Sequence, residues 1–403
     1  MAKILISGNG FDLSYGLPTK YSDFINILEI IKRNENYTFE KIYSKTSNFK
    51  ILKNNFNEFS LDKEKLSDLK KMLSENSWFS YFLNELKIET WIDFENKIEF
   101  VLNKIYTGIK ITQNKIFKNG AISTDLNSFI SSNFSNDIEF LSILDDFKVI
   151  SNEKGRIVIN PKFLVERYNL YLRIDYDCIS EHLQNELIEF KKIFNKYFDV
   201  IVLPFYENIK SNLKLQNFNK IEYHYTFNYT PTFEKLYNKK ITVHLHGKIN
   251  DPENEIVLGI NDISKIDNNE KKKFIPFTKA YQKFSGFKKY TFIENFKSNS
   301  SSNKDIIFFI GHSLDESDKI YINQIFDYIT KSIGSVKKII IIYHDIKCKN
   351  QLIINLINIR GENNIQKLLE KDRLQFIHKD SKELNSFLDY DTSSSSFLSS
   401  RVF

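Results

Sequence analysis

Four short polar segments, each closing an apolar run, hold the residue types from which a nucleotide site could be built. Ile4-Leu5-Ile6-Ser7 runs into Gly8-Asn9-Gly10-Phe11-Asp12, and Gly16-Leu17-Pro18-Thr19 follows, where it would re-enter the same mouth. Further on come Thr226-Phe227-Asn228-Tyr229-Thr230, His244-Leu245-His246-Gly247 and Gly311-His312-Ser313-Leu314-Asp315. Glycines at the end of a buried strand let the backbone turn tightly and approach a pyrophosphate. An Asn amide can hold a ribose hydroxyl or a water, and a neutral His can take a proton from either. Each segment alone also has an ordinary structural reading. Gly8-Asn9-Gly10 is a strand-to-helix turn, Asn228 caps a helix over 230–237, each His fills a satisfied core slot, and Asp315 caps the helix after it. What points to a site is their repetition, because ligands of open parallel sheets bind outside the carboxyl ends of the strands. Alternation along a strand puts His244 and His246 on one side and Leu245 on the other.

The elements that must position these residues follow from the hydrophobic pattern. Short β-rich runs recur at 221–227, 241–246, 256–260, 306–310, 339–343 and 374–378, with helix-like stretches at 232–237 and 318–333 between them. Strands alternating with helices imply a parallel sheet covered on both faces. The strand over 3–6 finds neighbours only in the carboxyl half of the chain. From about 21 to 195 the spacing is helical instead: Phe24, Ile27, Leu28 and Ile31 form one stripe, and Trp91, Phe94, Glu95, Ile98 and Leu102 another, in which Glu95 is the one polar member. The expected architecture is α/β, a Rossmann-like parallel sheet flanked by helices with a large, mostly α-helical insertion. Residues 1–20 and 196–385 would form a discontinuous nucleotide-binding domain and 21–195 the insertion. Residues 386–403, with the serine run at 393–400, read as a disordered tail, and Gly286 with the serines at 298–302 as a flexible loop.

Bulk properties bound the function. At 403 residues, with 41% hydrophobic and 27% charged, the chain is globular and able to bury a sizeable core. The net charge of +6 is spread over interleaved Lys and Glu, so it favours anionic partners only mildly. Cys178 and Cys348 are the two cysteines, which excludes a cysteine zinc cluster and a disulfide framework; no zinc or other metal is expected. No apolar run approaches bilayer length and no basic-then-apolar leader precedes the first strand, so the expected compartment is the cytoplasm, without a membrane partner. Lysines at 271–273 and the basic balance allow a nuclease or nucleic-acid binder, but neither an acidic metal cluster nor an aromatic-basic repeat accompanies them, and nucleic acid is not expected as a partner.

The opening Gly8-Asn9-Gly10-Phe11-Asp12-Leu13, then Gly16-Leu17-Pro18-Thr19, resembles that of the AbiH family of phage abortive-infection proteins. Trp91 with Glu95, the Phe227-Asn228-Tyr229-Thr230 segment, His244-Leu245-His246-Gly247 and Gly311-His312-Ser313-Leu314-Asp315 are similar in the same way. None of these motifs anchors residues 106–220. A more distant resemblance is to sirtuins, whose Gly-Ala-Gly-x-Ser-x-x-x-Gly-Ile-Pro, Thr-Gln-Asn-Ile-Asp, His-Gly and Gly-Thr-Ser-Leu segments follow in the same order.

The resemblance implies a site for NAD as substrate. Asn228 and His246 would be catalytic together with Asp12, which stands where sirtuins carry Ser; there its carboxylate could steady a developing cation, orient water, or repel a pyrophosphate. Gly8, Asn9, Gly10, Phe11, Gly16, Pro18, Thr226, Gly247, Gly311, His312, Ser313 and Asp315 would bind the nucleotide, with Gly8, Gly10 and Ser313 on the phosphates. The Asp-Phe-Arg that follows the proline in sirtuins is replaced by Thr19-Lys20-Tyr21, and the zinc cysteines are absent, so water replaces an acyl-lysine as acceptor. The implied activity is hydrolysis of NAD to nicotinamide and ADP-ribose in an infected cell. A second reading is a sensor that binds NAD or ADP-ribose without turnover and signals through a partner protein, a phage-derived trigger or a homo-oligomer. His312, Asp315 and Asp318 are open to two readings, an acid–base or metal cluster and a capped helix start. His244 could support His246 or be core, and Glu95 could reach the pocket or lie on the surface.

Overall fold

The computed structural model describes residues 2–85, 91–118, 137–153, 156–167, 170–210, 218–238, 242–260, 271–285, 305–330 and 338–389. Its centre is a sheet of β1 (Lys3–Ser7), β2 (Tyr223–Thr226), β3 (Thr242–His244), β4 (Ile306–Ile310), β5 (Lys338–Tyr343) and β6 (Leu374–His378). All neighbouring strands run parallel, in the order β6-β5-β4-β1-β2-β3. This is the strand order of dinucleotide-binding α/β sheets, and it places the topological switch point between β1 and β4. Ser7 lies level with Thr226 and Ile310, and Thr226 with His244, so four carboxyl ends finish together.

The strands are runs of Ile and Phe because both faces of the sheet are covered. Leu5, Phe308 and Ile340 point into one core, while Ile4, Ile6, Ile307, Phe309, Ile339 and Ile341 point into the other. The second core is closed by helices Lys319–Thr330, Ile346–Arg360 and Glu362–Glu370 through Ile322, Phe326, Leu356 and Ile365. The first continues without a break into helices Tyr21–Arg33, Ser77–Asn84, Trp91–Lys118 and Tyr176–Tyr197, where Phe24, Phe82, Phe94 and Phe190 pack ring on ring. The helical segment is thus the cover of one face of the sheet. Phe24, Ile27, Leu28 and Ile31 of the first expected stripe are buried there, as are Phe94, Glu95, Ile98 and Leu102 of the second.

Several elements differ from expectation. The apolar run at 256–260 joins no ladder. Ile256, Leu258 and Ile260 fill the core from an extended loop whose Val257 N–H goes to His246 O at 2.9 Å and whose Ile260 N–H goes to Phe277 O at 3.0 Å. Hydrophobic burial alone produces the same pattern as a buried strand. The helix Thr232–Tyr237 begins after Pro231, so Asn228 is not its cap. Two antiparallel hairpins, Ile150–Glu153 with Arg156–Ile159 and Leu164–Arg167 with Leu170–Ile174, stand in the segment read as almost free of strands. The loop expected near 286–302 and the tail expected at 393–400 lie outside the described residues. Among the described residues no helix is long and apolar enough to cross a membrane.

Candidate functional site

The strand-end residues sort into two clusters. The first lies beneath the glycine turn. Gly8 N–H donates to Ile310 O at 3.1 Å and Gly10 N–H to Gly311 O at 2.7 Å, so these two amides hold the turns after β1 and β4 together instead of cradling a phosphate. A Cβ on Gly10 would stand 2.8 Å from Gly311 Cα, and one on Gly311, whose φ is +65°, would stand 2.1 Å from Phe11 N. Glycine is required here by the approach of two backbones. Asn9 Nδ2 donates to Thr19 O at 3.0 Å, and Pro18 O accepts from the Tyr197 hydroxyl at 2.7 Å, which ties the Gly16 to Thr19 stretch to the helical segment. Phe11 is core, edge-on to Tyr15 at 5.3 Å.

A buried polar chain runs below. Asn228 Nδ2 donates to Gly8 O at 3.0 Å, and Asn228 N–H donates to Thr226 Oγ1 at 3.0 Å. Ser7 Oγ donates to Thr226 Oγ1 and lies 2.8 Å from His224 Nε2, whose ring reaches Thr242 Oγ1 through Nδ1 at 3.0 Å. Ser7 gives its proton to Thr226, so His224 donates from Nε2 and is neutral. Burial drives His224 down to about 3. Asp12 accepts from the Thr230 hydroxyl, which is joined through Thr232 to the Tyr206 hydroxyl. Burial raises Asp12 to about 6 against the hydroxyl bonds that lower it.

The second cluster forms where β3 and β4 end. His246 Nε2 lies 3.1 Å from Asp318 Oδ1, and His312 Nε2 lies 3.2 Å from Asp318 Oδ2. Leu314 N–H donates to His312 Nδ1 at 2.9 Å, so the proton of neutral His312 sits on Nε2, facing the carboxylate. Phe227 packs between the histidines, with ring centroids 5.3 Å from His246 and 4.1 Å from His312. Burial pulls His246 down to about 4, Asp318 opposes this, and Lys279 and Lys283 add to it. Burial acts to raise Asp318, but His246 and His312 hold it well below the usual carboxylate range. The result is an ionised Asp between two imidazoles. Asp315 accepts from Ser317 N–H at 2.9 Å and caps the short turn Glu316–Asp318, while exposed Ser313 accepts at its carbonyl from Asn355.

His244 and His246 part company, against the alternation expected of them. His244 Nδ1 donates to Asn228 O at 2.9 Å, and its Nε2 lies 3.3 Å from Glu234 Oε1, on the helix that packs into the first core. His246 meets Phe227 and Tyr321 of the second. The strand stops at His244, and the chain turns through Leu245 and His246 into Gly247 at φ +94°. Burial acts to raise Glu234, but His244 and Lys248 bring it down to about 2. Among the described residues no hydrogen bond or ion pair joins Asn228 to His246.

His246 and Gly247 line a cleft of about 1870 Å³ between the sheet and the helical segment, together with Lys191, Lys279, Lys283 and Tyr321. Gly8, Gly10, Asp12, Asn228 and Ser313 do not line it. Glu95, from the helical segment, reaches its wall: it is buried and bonded to Lys279 Nζ at 2.6 Å. Lys283 packs on the Tyr321 ring, and burial, reinforced by Lys279, brings it down to about 8. Lys191, Lys279 and Lys283 belong to no motif in the sequence. The available signal was Glu95, a lone carboxylate within an apolar stripe. The side chain of Trp91 lies outside the described residues. No group of three His, Cys, Asp or Glu side chains among the described residues is arranged to hold a metal ion.

A family model described as bacteriophage abortive infection AbiH matches residues 4–338. Part of the chain is similar to a shikimate kinase of Streptococcus gordonii, 34% identical over 88 residues, covering 18% of this chain and 52% of that protein. The chain thus spans about half the length of that relative. No solved structure matches the chain.

Proposed function

Because the chain belongs to the bacteriophage abortive infection AbiH family, we propose that it acts in that role by hydrolysing NAD to nicotinamide and ADP-ribose, with His246 as general base. The observation that carries this reading is the His246–Asp318–His312 cluster on a large lysine-walled cleft, beside the strand ends of a sheet with dinucleotide strand order. Such clefts with a few convergent polar groups are the usual form of small-molecule sites. When the glycosidic bond breaks, its electron pair leaves with the nicotinamide nitrogen and the ribose carbon becomes oxocarbenium-like. Water then attacks that carbon, and its proton passes to His246 Nδ1. The Asp318 carboxylate, 3.1 Å from Nε2, stabilises the imidazolium that forms, as a carboxylate does beside other histidine bases. His246 is available as a base because burial keeps it neutral down to about pH 4.

The test is release of nicotinamide from NAD by purified protein, with His246→Ala compared under conditions where its fold is intact. The parent releases nicotinamide, and the variant loses about 10²–10⁴-fold. Tight binding of NAD without release identifies a sensor instead, and release that survives His246→Ala removes the proposed base.

A further inference from the structure

The lysines that line the cleft differ in how they are neutralised. Lys192 Nζ lies 2.6 Å from Glu189, Lys196 lies 3.7 Å from Asp68, Lys248 lies 2.8 Å from Glu234 and Lys279 lies 2.6 Å from Glu95. Lys191, half-buried on the helix Tyr176–Tyr197, has no carboxylate within 4.0 Å among the described residues. Its Nζ meets the Gln282 amide oxygen at 3.4 Å. Gln282 is itself clasped to one backbone position, giving Nε2 to Leu258 O at 2.7 Å and taking Leu258 N–H at 3.3 Å. Lys191 is therefore steered by a fixed neutral acceptor, burial lowers its proton affinity, and the Glu255 carboxylate opposes this only from beyond ion-pair distance. Holding a cation partly out of water without a paired counter-ion is unfavourable, and an anionic ligand in the cleft lowers that cost. The glycine turn offers less, since the Gly8 and Gly10 amides are already bonded to protein carbonyls.

We propose that Lys191 is an anion-binding group of the cleft and holds the diphosphate of the nucleotide whose ribose lies at His246. This rests on the reading of the cleft as the NAD site. It assigns phosphate recognition to the helical cover of the sheet, so that the two layers bind opposite ends of one substrate.

Calorimetric titration of the full chain with NAD, ADP-ribose and inorganic pyrophosphate tests the assignment, using the parent, Lys191→Gln and Lys191→Arg. Loss of one charge-assisted contact is expected to weaken all three ligands about 10- to 100-fold in Lys191→Gln, with most of the affinity restored in Lys191→Arg. Nicotinamide riboside, which has no phosphate, should bind both alike if it binds. Unchanged affinity for pyrophosphate in a folded Lys191→Gln, or a parent that binds no anion, overturns the proposal. A parent that binds pyrophosphate through Lys191 but neither NAD nor ADP-ribose keeps the anion site and removes the NAD reading, so the two failures are distinguishable.

Discussion

The polar cluster under the glycine turn and the cluster around Asp318 use similar residues to opposite ends. Under the turn, Ser7, Thr226 and Asn228 share one set of hydrogen bonds with a buried, neutral His224, and Asp12, Thr230, Thr232 and Tyr206 share another. Most of the polar atoms of this close-packed sheet end are satisfied within it, Asp12 Oδ1 being left without a hydrogen bond among the described residues. Around Asp318, two imidazoles converge on one carboxylate beside two lysines, and His246 opens on a cleft. Motif residues fall in both. The comparison teaches that a motif's chemistry has to be read from what its side chain faces: on the proposed reading the first cluster serves the fold and the second a ligand.

The largest effect that could break this contrast is Asp318→Ala. It strips both histidines of their shared partner and should cost about 3–5 kcal/mol by chemical denaturation, with NAD hydrolysis reduced about 10²–10⁴-fold. A folded variant with full activity would show that the second cluster is as structural as the first. Gly311→Ala should destabilise by roughly 2–4 kcal/mol, from strain at positive φ and the clash with Phe11 N, while the Kd for NAD of the folded fraction stays unchanged. A large rise in Kd without loss of stability would return the phosphates to the glycine turn.

Asp12 sharpens the contrast through pH. Its affinity for a proton is raised on folding from 3.8 to about 6, so its contribution to stability is full below 3.8 and is lost as pH rises through 6. His224 runs the other way: lowered from 6.5 to about 3, its contribution is present above 6.5 and is lost as pH falls toward 3. Asp12→Asn should therefore gain about 2 kcal/mol at pH 7 and lose stability more steeply on acidification than the parent, with hydrolysis little changed. A loss of turnover with the fold intact would instead give Asp12 a catalytic role. Tyr206→Phe, at the end of the hydroxyl chain, should cost about 1 kcal/mol in the same unfolding measurement.

Much of the frame was legible in the chain. The runs at 306–310 and 374–378 became β4 and β6 with the same limits, and 232–237 became a helix, because here the local pattern and the tertiary setting agree. The loop at 256–260 was misread, since burial without a ladder leaves the same residues. The separation of His244 from His246 was hidden because alternation holds only while the strand lasts. The cleft was least legible: Lys191 and Gln282 come from two helices far apart in the chain, and nothing in their local spacing announces that they meet. Glu95 was left between the pocket and the surface by its spacing, and the structure buries it against Lys279.

Hydrogen exchange with and without saturating ADP-ribose tests the central claim most directly, because it reads where the nucleotide sits whether or not it is turned over. The account predicts slowed exchange in peptides covering 184–196, 245–257 and 279–285, with 8–14 and 311–315 unchanged. Protection confined to 8–14 and 311–315, with the cleft peptides unaffected, would contradict it.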